Sequence, residues 1–374
     1  MSNNRKHICW ITASYFLDTD LPVTYRLMDH FDIDWIIISN EKQKDEDAAY
    51  VRSKTNKPFR QLIAPARFYS PALYCFFRRL VLSLKKGNYD LYYFDISDFL
   101  FLFPLVRKHL PLDRTIVVTH NVIVPKGARL APLAKLSMAY TIKTFQHFQT
   151  FSMNQRDALR RKKSGADIFY SPFMLKDYGN SDNPDHHYGD PVKFLFFGNI
   201  LKYKRLDVLL QAVQTLFKRG YRNFKVYITG YCDPNLWKNE YLPLIKNPEL
   251  FHLDIRRIPN DLVAEYFNTC DYFVMPYQDI AQSGALTVAL NYNMPVIASD
   301  LPVFHEFING DEDSFFISPA NHMELANAME HCINLPQEDY LKLKKNLKDN
   351  VDSRFSPKTI IAGYIKYLSS FPDA

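Results

Sequence analysis

The sequence predicts an α/β chain of two halves, each a parallel sheet with helices on both faces. Three observations carry this. Short all-apolar runs alternate with longer helical patterns nearly throughout. The polar, turn-rich segment Lys176–Pro191 (KDYGNSDNPDHHYGDP) interrupts the alternation, which then restarts. A length of 374 residues exceeds one ordinary core and suits two domains. Strands apolar on both faces arise when helices cover a parallel sheet from both sides.

In the first half His7–Ala13 reads as a strand and Leu21–His30 as a helix. Asp34–Ser39 (DWIIIS) is a strand, and Pro71–Lys86 a helix ending near Gly87. Leu91–Asp95 and Thr115–Thr119 (TIVVT) are strands, with a helix over Asp98–His109 between them. Pro132–Phe148 reads as helical, Thr150–Ser152 as a short strand, and a further helix begins near Asn154. The second half runs strand Lys193–Phe197, helix Arg205–Arg219, strand Lys225–Thr229, helix Pro259–Thr269 and strand Tyr272–Met275. It continues with helix Gly284–Tyr292, strand Pro295–Ala298 and helix Met323–Leu335. The expected domains are 1–178 and 193–355, joined by a linker at 179–192. A last helix at 356–374 has an aromatic and aliphatic stripe (Ile360, Ile361, Tyr364, Ile365, Tyr367, Leu368). Periodicity leaves open which half it caps; a return to the N-terminal domain is one reading.

Hydrophobic residues make up 47% and charged residues 23%, an ordinary globular balance that argues against disorder. The net charge of +6 suits anionic ligands or an anionic membrane and falls short of a nucleic-acid footprint, so no nucleic-acid partner is expected. Five cysteines without CxxC spacing indicate neither a disulfide framework nor a zinc site, and reduced thiols in cytosol fit them. The apolar stretch before Asp18 is too short for a signal peptide. No run approaches roughly 18 apolar residues, so no membrane span is expected.

Two segments of the second half suit an anion. In Leu195–Leu210 (LFFGNILKYKRLDVLL) a strand runs into Gly198, and a helix opens near Arg205. Gly198 permits a sharp turn beside a ligand, and the helix start offers amide donors and partial positive charge. Lys202, Lys204 and Arg205 add cations at that same end, where they oppose the helix dipole unless an anion arrives. In Met275–Asp300 the loop Gln282–Ser283–Gly284 leads into a helix, with Ser283 placed to cap it and Gly284 to admit an anion. An ordinary basic turn and an ordinary capped helix would look alike singly; together they place two anion-receptive helix starts beyond strand ends, where α/β folds bind ligands. In the first half His120 follows the strand TIVVT directly, at its carboxyl end, with Asn121 beside it.

Gly198–Ile200–Lys204–Asp207, followed by Pro276–Gly284 (PYQDIAQSG) and Pro295–Asp300 (PVIASD), resembles the donor-domain signature of the retaining family 4 glycosyltransferases. The resemblance covers about Lys193–Leu335. It implies two Rossmann-like domains facing a cleft, the GT-B fold, with donor bound in the C-terminal half and acceptor in the N-terminal half. It further implies that Gly198, Asn199, Lys204, Arg205, Gln282, Ser283 and Gly284 bind the donor, with Lys204 on the diphosphate, and that Asp207 is structural. His120 would stand near the reacting sugar, so His120 and Lys204 are the expected catalytic pair. Thr12, Ser14 and Asn121 are the positions expected to meet the acceptor. Arg256, Arg257 and Ile258 precede Pro259–Asn260, where similar enzymes bring backbone near the nucleobase. Three features depart from the family pattern. Ile280 and Val288 stand where many members carry a Glu-x7-Glu pair, Asn199 replaces a basic residue, and Thr12–Ala13–Ser14–Tyr15 replaces a Gly-rich loop.

Breaking a sugar–diphosphate bond leaves charge on the departing phosphate, and a preplaced cation there is worth about 2.7–4 kcal/mol of barrier. The donor half lacks a DxD pair at a strand end, so no metal is expected, nor a cofactor beyond a UDP- or GDP-linked donor acting as substrate. By resemblance the anomeric configuration is retained, and the products are surface polysaccharide or another glycoconjugate on a glycan or lipid-linked acceptor. Arg78, Arg79, Lys85, Lys86 and Arg160–Lys163 (RRKK) suggest peripheral contact with an anionic inner leaflet by an otherwise cytoplasmic protein. The missing carboxylates support an alternative, an inactive relative serving as a nucleotide-sugar-binding or partner-enzyme scaffold. A sugar-nucleotide epimerase is a further reading.

Overall fold

The computed structural model describes residues 5–65, 70–96, 101–122, 131–180, 188–189, 191–280 and 283–373. The chain divides into two compact units, Met1–Met174 with Pro357–Ala374, and Leu175–Ser356.

The first unit is built on a seven-stranded parallel sheet of β1 (His7–Ala13), β2 (Asp32–Ser39), β3 (Arg60–Ile63), β4 (Leu91–Asp95), β5 (Thr115–Val118), β6 (His147–Thr150) and β7 (Asp167–Tyr170). The spatial order β3-β2-β1-β4-β5-β6-β7 places a topological switch between β1 and β4. Alternate residues of each strand feed opposite cores. Cys9, Ile11, Tyr92, Phe94, Val117 and Phe148 face α3 (Pro71–Lys85) and α4 (Leu102–His109). Ile8, Trp10, Trp35, Tyr93 and Ile116 face α1 (Leu17–Leu27) and the C-terminal helix Pro357–Ser369. The apolar stripe of that last helix (Ile360, Ile361, Tyr364 and Leu368) is buried in this second layer. Helix α3 shows the local logic. Ser70 accepts from the Leu73 amide at 3.2 Å, Pro71 opens the first turn, and Leu73, Phe77, Leu80, Val81 and Leu84 form one buried stripe. The remaining helices of this unit are α2 (Lys44–Lys54), α5 (Ala131–Thr144) and α6 (Met153–Lys162).

Some boundaries differ from the sequence expectation: the first helix is Leu17–Leu27 rather than Leu21–His30, and a helix and strand near Thr150 are displaced. The helix ends at Thr144, and the following strand is His147–Thr150, not Thr150–Ser152. Phe148 and Thr150 are fully buried as strand residues paired with β5 and β7, so sheet pairing overrides the helical apolar spacing.

The second unit carries a six-stranded parallel sheet: β8 (Val192–Phe197), β9 (Phe224–Thr229), β10 (Phe251–Asp254), β11 (Tyr272–Met275), β12 (Val296–Ser299) and β13 (Phe315–Ile317). Its order, β10-β9-β8-β11-β12-β13, sets the switch point between β8 and β11. Helices α7 (Leu206–Lys218), α8 (Pro234–Leu236), α9 (Asn260–Thr269), α10 (Gly284–Asn291), α11 (His322–Asn334) and α12 (Gln337–Phe355) complete the unit. Helix α7 buries Leu206, Val208, Leu209, Leu210, Ala212, Val213 and Leu216, which anchors the loop before it rigidly to the sheet. Each buried Leu or Val of this stripe contributes about 1.5–3 kcal/mol. Among the described residues, no helix is long and apolar enough to cross a membrane.

Candidate functional site

The residues expected at the donor follow β8 and β11, neighbouring strands at the switch point of the second unit. Gly198 ends β8 with φ +95°, a conformation that side chains resist, and its amide donates to Thr229 O at 2.9 Å. Gly230, at the end of β9, has φ +137°, and a Cβ there would lie 2.1 Å from Gly198 O. The two glycines therefore let adjacent loops close on each other. Gly230→Ala should cost about 2–5 kcal/mol through clash and backbone strain, read as a lower denaturation midpoint. An unchanged midpoint would contradict the close approach.

Beyond Gly198 come exposed Asn199 and a short turn, Lys202–Lys204, before α7. Arg205 caps α7 in the left-handed region (φ +53°), at a cost of about 1–2 kcal/mol for a residue with a side chain. Its guanidinium folds onto Asp207 at 2.8 Å, which is the structural role of Asp207. Lys202 pairs with Glu240 at 2.6 Å. Of the three cations at this loop, Lys204 alone has no carboxylate partner among the described residues. Its side chain is buried, 7% exposed, and Nζ donates to Phe197 O at 3.3 Å and lies 5.5 Å from the Tyr277 ring centroid. Burial pushes its amine down to about 8, because the ammonium has left water without an opposite charge. The same Nζ lies 3.1 Å from the place a Cβ on Gly198 would take, so it sits at the carboxyl end of β8.

After β11, Ser283 caps α10, its hydroxyl accepting from the Leu286 amide at 3.2 Å. Gly284 heads the helix, and Lys176 Nζ lies 3.1 Å from where its Cβ would be, which adds an ammonium at this helix start. Lys176 belongs to the turn-rich segment, far from the motif in the chain, so its place at this helix start is not visible in the sequence. Gln282 lies outside the described residues. Ile280 packs against the core and Val288 is buried within α10, so both positions of the expected carboxylate pair are apolar. Arg256 and Arg257 are exposed just past β10, two strands from β8, and Arg256 is held by Asp254 at 2.7 Å.

In the first unit His120 stands at the carboxyl end of β5. Its Nε2 bonds Asp95 Oδ1 at 2.7 Å, and Asp95 ends the neighbouring β4, fully buried. The imidazole stacks on Phe16 at 3.6 Å and lies 4.8 Å from Phe151, so its plane is fixed. Asp95 went unread in the sequence, although the signal existed: a carboxylate closing the apolar strand LYYFD beside a His closing the next strand. Asn121 is exposed next to His120. Ser14 is half-buried and bonds the Asp47 carboxyl. Thr12 is fully buried; its hydroxyl donates to Asp20 at 2.6 Å and accepts from Trp35 Nε1 at 3.0 Å. Its side chain is thus committed inward, and no oxygen remains there to meet an acceptor. Among the described residues, no group of three or more His, Cys, Asp or Glu side chains is gathered as a metal site.

Against known proteins, residues 191–334 match the model of the glycosyl transferases group 1 family. No curated protein matches the chain in sequence. Among solved structures, HepE of Anabaena in complex with UDP is similar at 14% identity, covering 98% of this chain and 100% of that one, with a TM-score of 0.73. A glycosyltransferase from Rickettsia africae is similar at 15% identity over 98% and 99% of the two chains, with a TM-score of 0.73. Sucrose-phosphate synthase of Thermosynechococcus elongatus follows at 13% identity over 98% and 99%, with a TM-score of 0.73. At such identities the likeness establishes the fold, and the two parallel sheets are those of the GT-B architecture.

Proposed function

We propose that this chain, whose residues 191–334 are a group 1 glycosyl transferase segment, transfers sugar from a nucleoside-diphosphate sugar to a glycan or lipid-linked acceptor. The observation that carries the reading is Lys204, a buried ammonium with no carboxylate partner among the described residues, held at a switch point beside Gly198. A charge kept there at the expense of its hydration is explained by an anionic ligand that restores its electrostatic balance. A diphosphate meets that need, and the start of α10 with Ser283, Gly284 and Lys176 offers a second anion-receptive end on the adjacent strand. The HepE complex with UDP-glucose makes a UDP-linked donor the first to test.

Bond cleavage moves charge onto the leaving diphosphate, and Lys204 and the α10 amides would already be in place to receive it. We further propose that this charge is met by side chains and amides without a metal, that configuration is retained, and that products serve surface polysaccharide or glycoconjugate synthesis. Titration calorimetry with UDP-, GDP- and other nucleotide-sugars, followed by assay for nucleoside diphosphate release, tests the reading. Binding with turnover supports it. Binding by a folded protein without turnover on any acceptor favours the scaffold alternative, which the apolar Ile280 and Val288 positions support. Absence of binding to every nucleotide contradicts both.

Access to a lipid-linked acceptor would come from basic helix faces. Arg78 and Arg79 are exposed on α3, and Arg160, Arg161 and Lys162 are exposed on the last turn of α6. Lys163 does not belong to this face, since its Nζ turns inward to Ile142 O at 3.0 Å and to Phe145 O. Flotation with vesicles containing anionic lipid should therefore exceed flotation with neutral vesicles. Arg78→Ala, Arg79→Ala, Arg160→Ala and Arg161→Ala together should remove the difference. Equal flotation of the wild type with both vesicles would contradict membrane docking.

A further inference from the structure

We propose that Asp20 is a positioning residue for His120, acting through Asp95 by holding a proton between the two carboxyls. The inference rests on the transferase reading above.

The geometry starts at β1. Thr12 Oγ1 and Trp10 Nε1 both donate to Asp20 Oδ2, at 2.6 and 3.0 Å. Trp35 Nε1 in turn fixes the Thr12 hydroxyl at 3.0 Å, so these donors are themselves locked. On the other side Asp95 Oδ1 accepts from His120 Nε2, while Asp95 Oδ2 is fully buried and, among the described residues, reached by no N–H or O–H donor. The carboxyl that faces Asp95 is that of Asp20, itself only 1% exposed. Two buried carboxylates cannot face each other both charged; a proton on one satisfies both.

The donor inventory says which one holds it. Asp20 Oδ2 already accepts two bonds, as the carbonyl oxygen of a neutral acid does, which leaves Oδ1–H to donate to Asp95 Oδ2. Asp95 then carries the charge, with one oxygen bonded by Asp20 and the other by His120. Burial raises both carboxyls well above the usual range, and the contact between them raises Asp20 while lowering Asp95, in agreement with this placement. The other titratable groups around the pair are Asp18 on α1, Tyr93 on β4 and Tyr364 on the C-terminal helix. An anionic Asp95 keeps the His120 proton on Nε2, so Nδ1 is the acceptor of the neutral ring. Phe16 and Phe151 hold the ring plane while Asp95 sets its tautomer.

Asp20→Asn is the discriminating variant, because its amide accepts from Trp10 and Thr12 and donates permanently to Asp95. Asp20→Leu keeps similar volume and removes the donor. In the full-length protein, Asp20→Asn should retain kcat within about threefold, because its amide donates to Asp95 as the protonated acid does. Asp20→Leu should lose about tenfold to hundredfold in kcat, as displaced catalytic groups do, with UDP affinity unchanged. The Nε2–H resonance of His120 in histidine-labelled protein, assigned by its absence from His120→Asn, should persist in Asp20→Asn and vanish in Asp20→Leu. An unchanged resonance and kcat in Asp20→Leu would overturn the proposal. So would loss of the His120 resonance, or a loss of more than tenfold in kcat, in folded Asp20→Asn, which decides the matter even if Asp20→Leu fails to fold. Should the wild type bind no nucleotide, the transferase reading fails, while the imidazole resonance still judges Asp20.

Discussion

Replacing Lys204 with methionine should stabilise the protein and disable it. The lysine is nearly buried, and its amine falls from 10.5 in water to about 8 in the fold. That displacement corresponds to on the order of 3 kcal/mol held against folding at neutral pH. The sign follows from proton counting. Between pH 8 and 10.5 the unfolded chain binds more protons than the native one at this residue, so stability rises with pH across that window. Below about pH 8 the full cost is present. Lys204→Met fills the same space without charge, so at pH 7 it should raise the thermal midpoint by several degrees, and the gain should fade as pH approaches 10.5. Donor turnover should fall about 100- to 1000-fold, the effect of losing one preorganised donor to a developing anion. Differential scanning calorimetry and donor-release kinetics on the same preparation check both halves of the prediction.

His120→Ala should carry the next largest effect. Removing the imidazole deletes the group at the end of β5 proposed as catalytic, and for a general acid or base losses of about 100- to 10,000-fold in kcat are usual. It also strips Asp95 Oδ1 of its donor and opens a void between Phe16 and Phe151. An unsatisfied buried acceptor and a cavity together cost about 2–5 kcal/mol, so the variant should be measured well below its lowered midpoint. UDP affinity should stay at the wild-type value, because the residues proposed for the nucleotide belong to the second unit. A parallel loss of UDP binding in folded protein would contradict that division of labour.

The two sheets were legible because their central strands are apolar on both faces and long enough to stand out, as HICWITA and DWIIIS do around Trp10 and Trp35. Edge strands were not. Arg60–Ile63, Asp167–Tyr170, Phe251–Asp254 and Phe315–Ile317 are three or four residues long and only partly buried, so their composition resembles that of loops. Helix α12 also went unread: its buried Tyr340, Leu343, Leu347, Val351 and Phe355 follow helical spacing but are diluted by lysine and aspartate. At the candidate site, Gly198, Lys204, Ser283 and His120 were readable from their places after strands. Asp95 carried a signal as the carboxylate closing LYYFD, but Asp20 did not, since its meaning lies in a contact with a residue 75 positions away in the chain, brought near once β1 and β4 are neighbours. The cation cluster at 202–205 looked uniform in sequence, and folding separated it into two ion-paired residues and one buried amine.

The central claim is that the buried Lys204 amine awaits an anion, and titration calorimetry of UDP against wild type and Lys204→Met from pH 6.5 to 9.5 tests it most directly. An anion at the amine raises its pKa, so binding by the wild type should take up a proton above pH 8. Affinity should then fall by up to about tenfold per pH unit from there, with no such dependence in Lys204→Met. UDP binding of equal strength in both proteins, flat across this range, would contradict the account.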